Sequence, residues 1–379
     1  MTILHIHDRV GRYGGGEVYL AQLREGLRQR GHHTPVLYLT QEGTETNLGS
    51  DEHCARKPHG LLSGMRMKQW LGPLLDRIKP DAVHCHTLFS PFGMAWLCRR
   101  VPMVFTLHSL HMLPRKAWRE PMTVIGLYDR LLRQLMRPAL KGLALWIAPS
   151  EAFAREIRNE GYRNVAVIPH FTGKRPTQAI GRVGSRTILF VGRLSAEKGI
   201  EEFIESLTYL LDQPWHAVIV GDGPLQNRVR NLIQKQGIAS RVRLTGWLSG
   251  TDLDQQYRDA QVVVVPSVVM EAFSLVGIEA MAFGKPVVAF DAGGVREWLR
   301  DGRTGYLVEQ GNCRGLAERI RALIENPSRA KMMGEEGKQV VEECFRIDSH
   351  LERVTQVYEE VIHRCRNGAL SMGAYAYRN

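Results

Sequence analysis

Two short runs of β-branched residues frame the stretch that most restricts how this chain can fold. QVVVV at 261–265 and PVVAF at 286–290 are apolar throughout, as is typical of buried strands in parallel sheets. Residues 275–282 between them are compatible with a helix, which Ser274 would cap and Gly284 would end. The stretch therefore predicts a βαβ unit, from which parallel α/β folds are built.

Two carboxylates, Glu271 and Glu279, lie in this unit with seven residues between them. In a βαβ unit the ligand binds beyond the carboxyl ends of the strands, where the helix begins. Glu271 would lie in the loop at that crevice, and Glu279 about one and a half turns into the helix. The backbone N–H groups of Ser274, Leu275 and Val276 favour an anion. A sugar nucleotide fits both demands, because its diphosphate takes the amides and its hydroxyls take the carboxylates.

The same alternation of apolar blocks and helical stretches runs through both halves of the chain. It begins with ILHIH at 3–7 and pauses only at HFTGKRPTQAIGRVGSR, which lacks apolar periodicity. Because 379 residues are many for one core, we predict two doubly wound, Rossmann-like α/β domains facing each other across a cleft. We place the domains at residues 1–171 and 187–352, joined by a linker at 172–186. Residues 353–379 would form a helix and tail packing back on the first domain.

Composition indicates a globular protein of the cell interior. Hydrophobic residues make up 44% of the chain and charged residues 23%, which excludes a mainly disordered protein. The six cysteines are scattered without a CxxC pair, as reduced thiols in the cytosol are. The N-terminus is too weakly apolar for a signal peptide, and no run approaches the length of a membrane span. We therefore expect a cytoplasmic protein.

The net charge of +11 is unevenly distributed. Residues 99–141 hold nine Lys or Arg and two Asp or Glu, and Arg130, Arg133, Arg137 and Lys141 fall on one stripe of a predicted amphipathic helix. Such a face is either an ordinary solvated surface or a contact with an anionic membrane or acceptor. Nucleic acid is disfavoured as a partner, because recognition-module signatures and interleaved aromatic residues are lacking.

A pair of cations follows the first strand of the second half. Arg193 and Lys198 lie in VGRLSAEKG, after a strand and before a helix. Two cations in such a loop can stabilise the charge that develops on a diphosphate leaving group without a metal ion. The alternative is an exposed loop with ordinary charges, but the neighbouring βαβ unit favours a functional pair.

Histidines recur at strand positions of the first half. His5 and His7, and likewise His84 and His86, have the spacing that places both rings on one face of a strand. A metal site would need more carboxylates nearby than the sequence offers, so we expect no bound metal and interpret these histidines as lining a cleft. His108, at the end of VFTLHS, is the best single candidate for touching a reacting sugar.

Two further patterns are incomplete. Gly15 and Gly16, in a loop after the first strand, allow a phosphate to approach the backbone, but their spacing matches neither the dinucleotide fingerprint nor the P-loop. Asp252 and Asp254 resemble the DxD pair that binds a divalent ion in other nucleotide-sugar enzymes. Their setting favours a simpler interpretation, in which Thr251 or Asp252 caps a helix.

Taken together, these motifs resemble those of retaining nucleotide-sugar glycosyltransferases of the GT-B type, in the large family 4 with its Glu, seven residues, Glu motif. The matching segments occur in family order along almost the whole chain: GGGEVYLAQL, DAVHCHT, TLHS, APSEAF, VIPH, VGRLSAEKG, VGDGP, LTGWL, PSVVMEAFSLVGIEAMAFGKPVV and AGGVREWL. The match is more specific in the second half than in the first.

On the donor side, the resemblance implies roles for residues of the second half. Arg193 and Lys198 would bind the donor diphosphate together with the amides of residues 274–276. Glu279 would hold the ribose hydroxyls, and Leu248 would border the base.

At the reacting groups, the resemblance implies that Glu271 holds the donor sugar near its anomeric carbon and that His108 reaches the same sugar. Gly15 and Gly16 would approach phosphate and acceptor from the first domain. Although retention often proceeds through a covalent carboxylate intermediate, a front-face route is favoured in this family. Glu271 is therefore expected to position groups and stabilise charge, and is not expected to be a nucleophile.

Two positions depart from the family pattern. His170 stands where the family usually has Asn in the VIPN segment, and Phe273-Ser274 replaces the commoner Phe-Gly. The first change concerns the connection between the domains, and the second could alter sugar preference.

The sequence thus predicts a retaining, metal-independent glycosyltransferase without a cofactor, using a UDP- or GDP-sugar and a hydroxyl of a glycan or lipid-linked acceptor. Assembly of polysaccharide, lipopolysaccharide or glycolipid is the expected setting, in the cytoplasm or on the inner face of the plasma membrane. The alternatives are a GT-B nucleotide-sugar epimerase or hydrolase, and a non-catalytic protein that binds sugar nucleotides.

Overall fold

The computed structural model describes residues 1–8, 14–40, 50–56, 63–113, 124–174 and 185–367. The chain divides into two compact units, the first of Met1–Pro169 with Ile347–Asn379 and the second of His170–Arg346. Within the described ranges, no helix combines the length and the apolar character needed to cross a bilayer.

The chain returns to the first unit where the last described helix begins. This helix spans Ile347–Arg366, so the domain limit predicted at residue 352 falls inside it. Because a helix packs as one body, its first turn belongs to the first unit as well. The central part of the predicted linker, residues 175–184, and the tail from residue 368 lie outside the described residues.

In the residues that the structure describes, the first unit is a seven-stranded parallel sheet with helices between its strands. In chain order its elements are β1 Ile3–His7, α1 Gly15–Gln29, β2 Val36–Thr40, β3 Glu52–Arg56, α2 Ser63–Ile78, β4 Ala82–Cys85, α3 Pro91–Cys98, β5 Met103–Thr106, α4 Val124–Lys141, β6 Leu145–Ala148, α5 Glu151–Asn159 and β7 Val165–Val167. The strand order is β3-β2-β1-β4-β5-β6-β7.

The side of the sheet to which successive strands are added changes at β1. His5 of β1 pairs with Val36 of β2 on one side and with His84 of β4 on the other. Strands added before β4 extend the sheet one way, and strands from β4 onward extend it the other way. In open α/β sheets such a switch point leaves a crevice beyond the carboxyl ends of the strands, and Gly15 and Gly16 begin α1 at that crevice.

The last helix completes the first unit. On α1, the Tyr19 hydroxyl lies 3.0 Å from Nε2 of His350. Leu351 lies over Gly26, where a Cβ atom would come within 2.5 Å of the leucine Cδ1. Glycine at this position therefore lets the two helices approach closely.

The second unit, over its described residues 170–174 and 185–346, is a six-stranded parallel sheet. Its elements are β8 Thr187–Val191, α6 Ile200–Thr208, β9 His216–Val220, α7 Gln226–Lys235, β10 Val242–Gly246, α8 Gly250–Asp259, β11 Val262–Val265, α9 Leu275–Ala282, β12 Val287–Phe290, β13 Gly305–Val308, α10 Cys313–Ile324 and α11 Pro327–Cys344. The helix that follows them, Ile347–Arg366, belongs to the first unit and is named α12. The strand order is β10-β9-β8-β11-β12-β13. Parallel sheets with intervening helices in both units confirm the predicted α/β class.

Both faces of this second sheet are covered. Ile188 and Val264 pack in one apolar cluster with residues of α6, α7 and α10. Leu189 and Val263 point the other way and pack with residues of α8 and α9. Alternate strand residues are thus buried on opposite faces, which is why the strands are apolar throughout. The βαβ unit predicted over residues 261–290 is confirmed as β11, α9 and β12.

One capping prediction was wrong. Helix α8 begins at Gly250 with Ser249 at the N-cap position, so Thr251 and Asp252 lie in its first turn and do not cap it. Asp254 forms an ion pair with Lys174, which gives this carboxylate a structural partner.

We expect Gly334→Ala to lower the stability of the second unit. A Cβ atom at Gly334 of α11 would lie 1.9 Å from the backbone oxygen of Gly284, and a backbone atom cannot turn aside as a side chain can. Overpacking of this kind costs about 1–3 kcal/mol, which thermal unfolding would detect as a lower Tm. Gly337→Ala on the same helix is the control, because its Cβ would meet the flexible side chain of Met281 at 3.1 Å. Equal changes in Tm for the two variants would contradict the steric explanation.

Candidate active site

Glu271 is held at the carboxyl ends of β11 and β12. Its backbone N–H donates to Ala292 O at 3.3 Å, and its carbonyl accepts from Gly294 N at 2.9 Å. Gly293 between them has φ 63°, and a Cβ atom there would lie 2.8 Å from Glu271 O. Since only glycine adopts this conformation without cost, the AGG sequence after β12 fixes the loop that carries Glu271.

The carboxylate of Glu271 is bound by a lysine and a serine. Lys198 Nζ donates to Glu271 Oε1 at 2.6 Å, and Ser267 Oγ donates to the same oxygen at 2.5 Å. The Glu271 side chain is only 9% exposed, whereas that of Lys198 is 37% exposed. The structure thus joins two residues that the sequence had assigned to different parts of a donor, and Ser267 is a partner that the sequence analysis missed.

Lys198 reaches Glu271 from a tight turn after β8. Gly199 follows with φ 68°, and a Cβ atom there would overlap Pro266 O at 1.7 Å. Glycine is therefore required for the turn to approach the end of β11. Arg193 lies earlier in this turn and is exposed. Burial raises the pKa of Glu197, but its hydrogen bonds and the charges of Lys198 and Arg193 lower the pKa to a greater extent. Both cations therefore lie near enough to act on the same carboxylate.

The N-terminus of α9 faces the same place. Ser274 is at the N-cap position, as predicted, with φ 72° and ψ 95°, although its side chain makes no capping hydrogen bond. The first N–H groups of a helix, including those of Leu275 and Val276, have no partner within the helix. A positive φ is strained for serine and costs nothing for glycine, which accounts for the commoner Phe-Gly of the resembled family.

These elements line a small cavity. It has a volume of about 50 Å³, and its lining includes Gly192, Lys198, Ser267, Glu271, Ser274 and Val276. A cation, a carboxylate and a helix N-terminus therefore converge on one space. A larger pocket of about 440 Å³ lies beyond β12 and β13 and is lined by Asp291, Arg296 and Asp301 among others. It contains none of the predicted site residues, and we assign it no role.

Glu279 lies deeper in α9 and is bound by a buried tyrosine. Tyr257 of α8 is fully buried, and its hydroxyl donates to Glu279 Oε2 at 2.9 Å. Burial raises the pKa of Glu279, although the Lys174 charge and the hydrogen bond from Tyr257 oppose the shift. The amphipathic pattern of α8 marks Tyr257 as buried, but nothing in the sequence indicates that its hydroxyl meets Glu279. Leu248, predicted to border the base, is half-buried against the cluster that contains Tyr257.

In the first unit, His108 lies beside the glycine turn at the start of α1. A Cβ atom on Gly16 would be 3.6 Å from His7 Nε2 and 4.0 Å from His108 Cγ. The carboxyl ends of β1 and β5 thus bring His108 close to Gly16, so that the glycine loop with Gly15 and Gly16 and the TLHS segment, two separate motifs, lie at one place. Burial and the charge of His7 lower the pKa of His108 to about 3, although the carboxylate of Asp8 opposes the shift.

The other histidines are more deeply buried than expected. His5, His84 and His86 are fully buried, so the interpretation that they line a cleft was wrong. Each follows or lies within a central strand, where both faces of the sheet are covered. Ring nitrogens of these three residues lie within 4.8 Å of one another, close enough to bind a metal ion. The expectation of no metal therefore stays a prediction.

The predicted basic face on α4 is only partly available. Arg137 Nη1 donates to Glu160 Oε2 at 2.8 Å, and the Arg137 side chain is 14% exposed. This arginine is therefore a structural ion pair joining α4 to the end of α5. Lys141 is exposed, whereas the side chains of Arg130 and Arg133 lie outside the described part of the structure.

We expect Glu279→Gln to raise the thermal stability of the protein near neutral pH. Because the pKa of Glu279 is raised above its ordinary value of 4.5, the wild type loses stability as the pH rises through that value and the buried group must ionise. Glutamine retains an acceptor for Tyr257 and carries no charge. Tm measured across pH should be higher for the variant near pH 7, and the difference should shrink as the pH falls toward about 4.5. The exposed Glu318→Gln is the control, and a pH-independent difference at Glu279 would contradict the explanation.

Two family models match the chain, one on each half. The model described as Glycosyltransferase Family 4 matches residues 13–172, and the model described as glycosyl transferases group 1 matches residues 177–340. A glycogen synthase of Mycobacterium tuberculosis is 27% identical over 91% of both chains. A phosphatidyl-myo-inositol mannosyltransferase of Mycobacterium leprae is 28% identical over 83% of this chain and 84% of its own.

Solved structures share the fold along nearly the whole chain. A sucrose-phosphate synthase of Thermosynechococcus elongatus has a TM-score of 0.78 at 21% identity, covering 96% of this chain and 99% of its own. Anabaena Alr3699/HepE, crystallised with UDP and glucose, has a TM-score of 0.72 at 22% identity, covering 95% of this chain and 100% of its own. These likenesses show that the chain has the GT-B fold, and the two family models, which together match most of the chain, place it among the glycosyltransferases of the family 4 type.

Proposed function

We propose that this glycosyltransferase transfers a sugar from a nucleoside-diphosphate sugar to an acceptor hydroxyl, with retention of anomeric configuration and without a metal ion. The observation that carries the proposal is the Lys198–Glu271 contact of 2.6 Å beside the N-terminus of α9. It offers positive charge to a diphosphate and a carboxylate to sugar hydroxyls within one small space.

The ion pair indicates how the donor would bind. A diphosphate entering the cavity would compete for Lys198 with its own charge and with help from Arg193 and the amides of Leu275 and Val276. Glu271, still held by Ser267, would then accept hydrogen bonds from the hydroxyls of the donor sugar. The charge that develops on the leaving diphosphate would be met by groups already in place, so that a metal ion is not needed for this step.

Glu279 is proposed to anchor the ribose. Its Oε2 accepts from Tyr257, which orients the carboxylate so that the other oxygen can accept from ribose hydroxyls. Leu248 would border the base. UDP or GDP is the proposed nucleotide, in line with the solved structure of Anabaena HepE with UDP and glucose.

The transfer itself is proposed to occur on the front face of the donor sugar. The leaving phosphate would help to deprotonate the acceptor hydroxyl, Glu271 would stabilise positive charge near the anomeric carbon, and His108 would contact the donor sugar. Gly15 and Gly16 would lie at the phosphate and the acceptor. A glycan or lipid-linked acceptor is proposed, since the mycobacterial relative is a phosphatidyl-myo-inositol mannosyltransferase. A cytoplasmic location is consistent with six unpaired cysteines.

Thermal shift against UDP-, GDP- and ADP-sugars should identify the donor, because a ligand at about 100 times its Kd stabilises the folded state by about 2.7 kcal/mol.

Lys198→Ala and Glu271→Ala should lower kcat/KM with that donor by about 100-fold or more, the usual effect of losing a charge-stabilising group. Lys235→Ala, at the exposed end of α7, is the matched control and should have little effect.

Different results would favour other activities. Wild-type activity in both site variants would disprove the site assignment. Complete consumption of the donor without acceptor would favour an epimerase or hydrolase, and donor binding without release of diphosphate under any acceptor would favour a non-catalytic binding protein.

Membrane contact is proposed to involve the basic stripe of α4 without Arg137, which is paired with Glu160. Each basic residue near an anionic surface contributes about 1 kcal/mol, so Arg130→Glu with Arg133→Glu should weaken sedimentation with anionic vesicles more than tenfold. The double variant Arg155→Glu with Arg163→Glu, at exposed positions of the same unit, makes the same change in charge. Equal loss in both double variants, or no loss in the first, would contradict a specific role for α4.

A further inference from the structure

Three imidazole rings form a continuous row across neighbouring strands of the first unit. His5 Nδ1 lies 3.2 Å from His86 Nε2, and His86 Nδ1 lies 3.1 Å from His108 Nε2. The ring planes are within 19° and 25° of parallel at the two contacts. We call His5, His86 and His108 the histidine chain.

We propose that the histidine chain fixes His108 as a neutral donor that presents its hydrogen on Nδ1, which makes His86 and His5 positioning residues for sugar transfer. The proposal rests on the proposed function only for the place where His108 acts. The hydrogen-bond pattern itself follows from the first unit alone.

The number of hydrogens limits the histidine chain to two arrangements. A neutral imidazole carries one N–H, so each ring donates through one nitrogen and accepts through the other. Each of the two N···N contacts needs one hydrogen. All three N–H groups must therefore point the same way, either from His108 toward His5 or from His5 toward His108.

The His5 end of the histidine chain favours the second arrangement, in which the hydrogens point from His5 toward His108. Among the described residues, His5 Nε2 is buried without a hydrogen-bond partner. If the hydrogens pointed toward His5, this nitrogen would carry an N–H group with no acceptor, a rare condition in protein interiors. If they point toward His108, Nε2 of His5 carries only a lone pair. Its hydrogen is then on Nδ1 and is donated to His86.

Charges at the two ends favour the same direction. Burial lowers the pKa of His5, and the positive charges of Arg24 and Arg28 lower it further, so these cations act on the His5 end of the histidine chain. At the other end His108 is acted on by His7, whose charge when protonated lowers the pKa of His108, and by the carboxylate of Asp8, which opposes that effect. A chain with its hydrogens directed from the cations toward the carboxylate is aligned with this field.

The consequence for His108 is chemical as well as geometric. Its Nε2 accepts from His86, which holds the ring in one orientation, and its Nδ1 carries the hydrogen. With its pKa lowered to about 3, the ring stays neutral at physiological pH. It can therefore donate a hydrogen bond to a sugar oxygen through Nδ1, and it cannot take a proton from the acceptor there.

A neighbouring histidine supplies a contrast. His84 Nδ1 lies 2.6 Å from the Tyr358 hydroxyl, and its Nε2 lies 2.7 Å from Thr106 Oγ1. His84 is thus bound in the same buried region through hydroxyls that do not lead to His108. Tyr358→Phe removes one of those hydrogen bonds at constant size and serves as the matched control.

The tautomer of His108 can be determined by two-bond ¹H–¹⁵N NMR on the full-length protein labelled with ¹⁵N at histidine. The His108 signals are assigned as those missing from the spectrum of His108→Gln. We expect the wild type to show hydrogen on Nδ1 of His108. Hydrogen on Nε2, or a doubly protonated ring, would overturn the proposal. So would a zinc ion at one equivalent in the purified protein that disappears with His84→Asn, since a metal at His5, His84 and His86 would replace the chain.

Kinetics test the positioning role. His86→Leu should lower kcat by about 10- to 100-fold, the scale of a misplaced catalytic group, while KM for the donor changes by less than about twofold. His86→Asn, whose amide N–H can take the place of Nδ1–H, should recover most of the lost rate. Tyr358→Phe should keep kcat within about twofold even if its Tm falls as far as that of His86→Leu. Equal kcat in the leucine and asparagine variants, or equal loss in Tyr358→Phe, would overturn the positioning role.

The two tests separate this proposal from the proposed function. Wild-type activity in His108→Gln would remove His108 from the reaction and so count against the proposed function. The NMR measurement would still decide whether the histidine chain holds the tautomer.

Discussion

The candidate site at the carboxyl ends of β11 and β12 depends on one partly buried charge, the carboxylate of Glu271. A carboxylate removed from water is costly unless a cation and hydrogen bonds compensate it, and here Lys198 and Ser267 both bind one oxygen. The conformation of the two loops around Glu271 serves this need for a nearby cation and hydrogen bonds. Gly199 and Gly293, at positive φ, let two loops come close enough to place cation and carboxylate together, and the parallel strands hold both loops at one edge of the sheet.

Much of the second unit could be predicted from local sequence. The apolar blocks around residues 261–290 define two strands and a helix because buried parallel strands must be apolar on both faces, and the structure has β11, α9 and β12 there. The contact between Lys198 and Glu271 could not be predicted, since it joins positions 73 residues apart. Tyr257 was missed for the same reason, because its burial follows from helix periodicity but its partner depends on how α8 and α9 pack.

The first unit shows a different limit of sequence analysis. Strand spacing correctly places His84 and His86 on one face, but it does not say whether that face is open or covered. Helices α1 and α12 contribute Tyr19 and Tyr358 to the region around these rings, which turns the expected cleft lining into a buried network. The hydrogen bonds that matter most to His108 join positions 22 and 81 residues apart, so they exist only once the sheet has formed.

The return of the chain at Ile347 also has a consequence for biosynthesis. Tyr19 and Gly26 of α1 are covered by His350 and Leu351 of α12, and His84 meets Tyr358. A ribosome delivers these partners only after the whole second unit has been made. The second unit is continuous in sequence and can mature first, whereas α1 must wait, with part of its apolar surface uncovered, until the second unit has been synthesised and α12 follows it.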